Sequence, residues 1–165
     1  MPATNPWPWA WLKRKSVNWA LRSTIKPLWR RKDLGAEQLQ RMLAHANAWL
    51  PVPGGACGRA QAINQHLQAE WFGPEPPTRR VLLYLHGGAW IVHMPRLYRS
   101  AARRLSRVLQ ARVLLPDYRL APEHRFPAGS DDALAAYEFL LASGVAAHDI
   151  VLGGDSAGGN PALVT

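Results

Sequence analysis

One turn constrains this chain more than any other feature. The apolar run Ile150-Val151-Leu152 leads without a break into Gly153-Gly154-Asp155-Ser156-Ala157-Gly158-Gly159. Residues Gly154 to Gly158 have the form G-x-S-x-G, which belongs where a strand turns sharply into a helix. Such a turn forces its serine into a strained backbone conformation, so the residues two positions away on each side must be small. It also lifts Oγ clear of the sheet and puts a helix N-terminus beneath any negative charge that develops there. Ser156 is therefore the candidate nucleophile, with Gly154, Asp155 and Gly158 as the framework of its turn. A Gly-rich strand-to-helix turn can also cradle a phosphate, so the motif gains its meaning from what surrounds it.

What surrounds it alternates in type. Val81-Leu82-Leu83-Tyr84-Leu85 is a continuous apolar run, as expected of a strand covered on both faces. A helix is predicted from about Pro95 to Leu109, with Leu97, Ala101, Leu105 and Val108 inward and its arginines largely outward. Val113-Leu114-Leu115 predicts a second buried strand, and a second helix starts at Ser130 as N-cap and stops at Gly144. Ile150-Val151-Leu152 is the third strand. Strand, helix, strand, helix, strand at this spacing predicts an α/β fold with a mostly parallel sheet and flanking helices, whose site forms at the carboxyl ends of the strands. Nearer the N-terminus, an amphipathic helix runs from about Asp33 to Pro51, and residues 60 to 72 read as a strand or short hairpin.

The formal charge of +9 would suggest nucleic acid or a membrane, but its distribution argues otherwise. Residues 13 to 32 hold eight Lys/Arg and no acid, whereas everything from Asp33 onward carries twelve basic and eleven acidic residues. The charge belongs to an arm that also contains Trp7, Trp9, Trp11, Trp19 and Trp29. Its run from Trp7 to Leu12 precedes the basic cluster, the reverse order to a secretory signal, and no segment approaches the ~20 apolar residues of a membrane span. The arm is expected to fold as a helical cover with solvated cations. The alternative is peripheral membrane contact, or nucleic-acid contact, through residues 1–32. The single cysteine, Cys57, forms neither an internal disulfide nor a multi-cysteine metal site, which points to a cytoplasmic protein.

A second chemical motif, His86-Gly87-Gly88-Ala89-Trp90, closes the first buried strand. Small residues there let backbone N–H groups point into a site, so Gly87, Gly88 and Ala89, together with Ala157 from the turn, are candidate oxyanion donors. His86 is read as an anchor that holds this loop by hydrogen bonds.

Three segments in order, Leu83-Tyr84-Leu85-His86-Gly87-Gly88-Ala89-Trp90, Asp117-Tyr118-Arg119-Leu120-Ala121-Pro122-Glu123-His124-Arg125-Phe126-Pro127-Ala128 and Gly154-Asp155-Ser156-Ala157-Gly158-Gly159-Asn160, resemble the signatures of the hormone-sensitive-lipase-like esterases. The resemblance covers about residues 68 to 160. It implies an α/β-hydrolase fold, an acyl-enzyme on Ser156, a small-molecule acyl ester as substrate, and neither cofactor nor metal. It also makes the 117 to 128 segment structural, with Asp117 and Glu123 holding loops. Ala89 stands where the family often has a third glycine, but an alanine still donates its N–H.

A hydrolase serine needs a general base and an acid to orient it, and in this fold both follow the nucleophile in the chain. The nine residues after Ser156 contain no Asp, Glu or His. The reading is therefore of two parts: a basic, Trp-rich arm and cap-like helix over 1–55, and over 56–165 the N-terminal part of a hydrolase domain, truncated after the turn. As a fragment it is expected to be catalytically poor, poorly soluble or partly disordered, and left with an unpaired apolar edge at the strand over 150 to 153. The competing reading is a non-catalytic hydrolase-like binding protein, complete at this length.

Overall fold

The computed structural model describes Ser23 and residues 35–50, 58–74 and 79–165. The chain divides into two compact units, Met1–Gly35 and Ala36–Thr165, and the strands and helices from Ala36 to Val164 belong to the second. Apart from Ser23, the basic arm over 1–32 lies outside the described residues, as do Cys57 with its turn, the boundary placed at residues 55 and 56, and residues 75–77 of the Pro-rich turn.

Five strands make one sheet: β1 (Arg59–Ala62), β2 (Gln68–Phe72), β3 (Val81–Leu85), β4 (Arg112–Pro116) and β5 (Ile150–Gly154), in the order β1-β2-β4-β3-β5. Strand β3 runs parallel to both β4 and β5, with Leu83 opposite Leu114 on one side and Leu152 on the other. The α/β architecture is the expected one, but the sheet is mixed. The β1–β2 and β2–β4 pairings are antiparallel, and for β1–β2 the reason is local: the few residues between Ala62 and Gln68 can close a hairpin but not a crossover.

Helices α1 (Ala36–Ala48), α2 (Pro95–Leu109), α3 (Ala128–Ala142) and α4 (Gly159–Val164) complete the unit. Successive strand side chains point to opposite faces, so each face acquires its own core. Val81, Leu83, Leu85 and Leu114 pack with Ala133, Ala136 and Leu140 of α3. Leu82, Val113 and Leu115 pack with Tyr98 and Ala102 of α2. Leu83, Leu85 and Leu114 are fully buried, and each such side chain contributes roughly 2 kcal/mol.

Two helices differ from their sequence reading. In α2 the buried face is Tyr98, Ala102 and Ser106, while Leu97 and Val108 are 39% and 72% exposed. The inward stripe is shifted by one residue because polar bonds, not apolar content, select it. Tyr98 OH donates to Asp155 Oδ2 at 3.1 Å, and Ser106 Oγ donates to the Ala111 carbonyl at 2.7 Å. In α3 the helix begins at Ala128, two residues ahead of Ser130, so Asp131 is the acid of its first turn and the buried Asp132, just beyond, is an ion-pair partner. The helix stops as expected, with Gly144 at φ +85° just beyond it.

Candidate active site

The turn after β5 has the strained geometry its sequence demands. Ser156 sits at φ +50°, is exposed, and opens a 3-10 turn (Ser156–Gly158) that runs into α4. The Gly158 N–H donates to the Asp155 carbonyl at 2.8 Å, closing the turn. Both flanking glycines are required by close approach: a Cβ on Gly158 would meet the Leu85 carbonyl oxygen at 2.1 Å, and one on Gly154 would meet the Gly158 oxygen at 2.3 Å. Pro161 is the third residue of α4, where the N–H it lacks would have had no partner within the helix.

Asp155 joins this turn to the loop after β3. Its Oδ1 accepts from Tyr84 OH at 2.9 Å and from the Gly87 N–H at 3.0 Å, and its Oδ2 accepts from Tyr98 OH. Burial, and after it the Asp155 carboxylate, pushes both phenols far above their ordinary range, so they remain protonated donors. Neither tyrosine was a candidate at the sequence level, since a buried phenol in a strand or on a helix reads as core. The separation of Tyr84 and Tyr98 in the chain carries no signal that they converge.

The loop after β3 is built by left-handed backbone. Gly88, Ala89 and Trp90 have φ values of +142°, +53° and +64°. Glycine is obligatory at the first, where a Cβ would meet the Val92 carbonyl oxygen at 2.1 Å. The Gly88 carbonyl accepts from Ile91 and Val92, and Gln40 of α1 reaches across to donate to the Ile91 carbonyl at 2.8 Å. The Gly87 N–H is engaged by Asp155, so among the expected oxyanion donors Gly87 serves the framework and Gly88, Ala89 and Ala157 remain.

His86 is buried at 1% exposure and stacks on Tyr118 with ring centroids 4.3 Å apart. Its Nδ1 donates to the Gly87 carbonyl at 2.9 Å, and Tyr118 OH donates to the His86 carbonyl. Burial lowers the imidazole pKa and keeps the ring neutral.

Asp132 of α3 accepts from the Arg119 backbone N–H at 2.9 Å, from the Arg119 guanidinium through Nε and Nη2, and shares a 3.2 Å contact with His66 Nε2. Asp117 pairs with His93 at 3.2 Å. The ring nitrogens of the described histidines in hydrogen bonds or ion pairs thus meet Arg41, Asp132, Gly87, Asp117 and Asp149, and none meets Ser156. A cavity of about 410 Å³ is lined by Trp90 of the loop after β3, by Phe126 and its neighbours between Arg119 and Ser130, and by Asn160 of α4.

The sequence profile of the alpha/beta hydrolase fold matches residues 82–165. An acetyl-hydrolase of Streptomyces hygroscopicus is 42% identical over 98 residues, which are 59% of this chain and 33% of that protein. A putative acetyl-hydrolase of Mycobacterium tuberculosis, LipR, is 32% identical over 91% of this chain and 49% of its own length. Among solved structures, an esterase from the bacterial hormone-sensitive lipase family superposes with a TM-score of 0.72 at 33% identity, covering 87% of this chain and 48% of that one. The chain thus spans between a third and a half of the length of these relatives.

Proposed function

Because the chain belongs to the alpha/beta hydrolase fold family, on its hormone-sensitive-lipase-like esterase side, we propose that it carries the nucleophile half of a serine carboxylic-ester hydrolase. The observation that carries this reading is Ser156, exposed at φ +50° on a strand-to-helix turn that Asp155 ties to the glycine loop after β3. In the proposed reaction Ser156 Oγ attacks the ester carbonyl carbon while its proton passes to a general base. The resulting oxyanion accepts N–H bonds from Gly88, Ala89 and Ala157, each worth about 3 kcal/mol. Collapse expels the alcohol, which takes the proton back from the base, and leaves an acyl-serine. Water activated by the same base then releases the acid.

No Asp, Glu or His follows Ser156 among residues 157–165, so the base and its orienting acid are assigned to residues outside these 165. On this reading the 165-residue chain alone retains only the small activity that binding and oxyanion donors supply. The cavity beside Trp90 and Phe126 is proposed to take the apolar part of a small acyl ester.

The test is hydrolysis of p-nitrophenyl acetate by the protein purified from its native source, whose intact mass is measured alongside and compared with 18.3 kDa. The expected result is a larger mass and an activity that Ser156→Ala lowers by at least about 10³-fold. A native protein that turns over ester equally well with Ser156→Ala, or one that matches 18.3 kDa and hydrolyses nothing, removes the enzyme reading.

A further inference from the structure

A second polar cluster plays no part in that reaction. Because His86 Nδ1 donates to the Gly87 carbonyl, the other ring nitrogen, Nε2, carries a lone pair. That atom is buried without a hydrogen-bond partner, which is rare for a native polar group and calls for an explanation. Its surroundings offer one. The His93 ring lies 5.5 Å from the His86 ring, and His93 Nε2 stands 3.2 Å from Asp117 Oδ1. One donor atom from each of the three residues lies within 4.8 Å of the other two. All three line a cavity of about 220 Å³, in which the neighbouring guanidinium of Arg99 is matched by Glu70 through both carboxylate oxygens.

We propose that His86, His93 and Asp117 form a binding site for a divalent first-row transition metal, with Zn²⁺ the best match. Two imidazole nitrogens and one carboxylate oxygen suit a borderline cation, and water from the cavity would fill the remaining position. The Nδ1–H bond of His86 to a backbone carbonyl is the outer bond that fixes a ligating imidazole in one tautomer. Tetrahedral coordination at about 2.0–2.1 Å needs donors roughly 3.3 Å apart. The His93–Asp117 pair already meets that spacing, and since both residues are exposed their side chains can close on the fixed His86. As the ion enters, the neutral His93 ring keeps its one proton on Nδ1 and offers the Nε2 lone pair. The bound ion ties both ends of the 86–93 loop to the segment just after β4. The expectation that no metal is needed concerns the hydrolytic reaction, in which the bound ion takes no step.

The full chain, untagged and stripped with EDTA, is titrated with Co²⁺ followed by its visible absorption, then with Zn²⁺ by calorimetry. Saturable binding of one equivalent is expected, with a dissociation constant in about the micromolar range or tighter. His93→Ala and Asp117→Asn should each weaken it by about tenfold or more, and the double variant should abolish it. His66→Ala, a control outside the cluster, should leave it within twofold. Absence of saturable binding up to about 1 mM metal overturns the proposal. So does binding that the His93 and Asp117 variants leave unchanged, which would mean an ordinary ion pair and a metal held elsewhere. These two exposed positions decide the outcome, because His86 is part of the core and its variants also report on folding.

Discussion

Asp132 shows how one buried carboxylate organises a segment. Burial pushes its carboxyl up, but the Arg119 guanidinium, the Arg119 backbone N–H and His66 outweigh that and hold it below its ordinary value of 3.8. A carboxylate whose folded pKa is depressed stabilises the native state at pH values above its unfolded pKa. That contribution disappears as pH falls through the folded value. Asp132→Asn should therefore lose about 2–3 kcal/mol at pH 7 in urea unfolding. The gap to wild type should close in acid, below pH 3.8. A gap that persists unchanged at low pH would mean that packing, not charge, is what Asp132 provides. The same residue scale governs Gly158. Alanine there drives a methyl into the Leu85 carbonyl, so Gly158→Ala should cost about 1–3 kcal/mol and, under the proposed function, lower ester turnover. Thermal unfolding beside a turnover assay reads both.

Elements in this unit begin and end through one another. Helix α2 opens with Pro95 and has no side-chain cap of its own, yet its first N–H groups are not left bare. The buried Asn47 of α1 accepts from Arg96 N at 3.1 Å and Leu97 N at 3.3 Å, so the cap comes from about fifty residues upstream. Asn47→Ala should destabilise by about 1 kcal/mol. Hydrogen exchange should quicken at Arg96 and Leu97, while the amides of Ala102 and Ser106 stay protected. Uniform loss of protection along α2 would instead mean that the helix docks as a rigid piece. Both helices follow from their periodicity. This cap does not, because an asparagine in a polar helix turn is unremarkable until a second helix end is brought against it. The shifted inward face of α2 has the same origin: Tyr98 and Ser106 are chosen by Asp155 and the Ala111 carbonyl, which periodicity cannot see.

At the scale of the whole unit, β5 is an edge of the described sheet. Val151 is 59% exposed on it, and Leu163 and Val164 of α4 are 89% and 67% exposed nearby in the chain. An apolar edge with unpaired backbone groups is a template for pairing with another chain. Val151→Lys should reduce concentration-dependent light scattering of the 165-residue chain and leave its circular dichroism unchanged. Scattering indifferent to that change would move the sticky surface elsewhere. No helix among the described residues is long and apolar enough to cross a membrane.

The strands, the helices and the strained serine turn were legible from the residues alone, because each follows from local constraint. An apolar run covers two faces, a proline or glycine ends a helix, and only small neighbours fit around Ser156. What the tertiary structure alone decided are relations between distant residues. These are the strand order with its antiparallel end, the grip of Asp155 on Tyr84, Tyr98 and Gly87, and the meeting of His86, His93 and Asp117. Along a strand, local pattern fixes which side chains share a face. The partner it meets there depends on how the sheet is ordered and how each helix is rotated, and those are set by the packing of the whole unit.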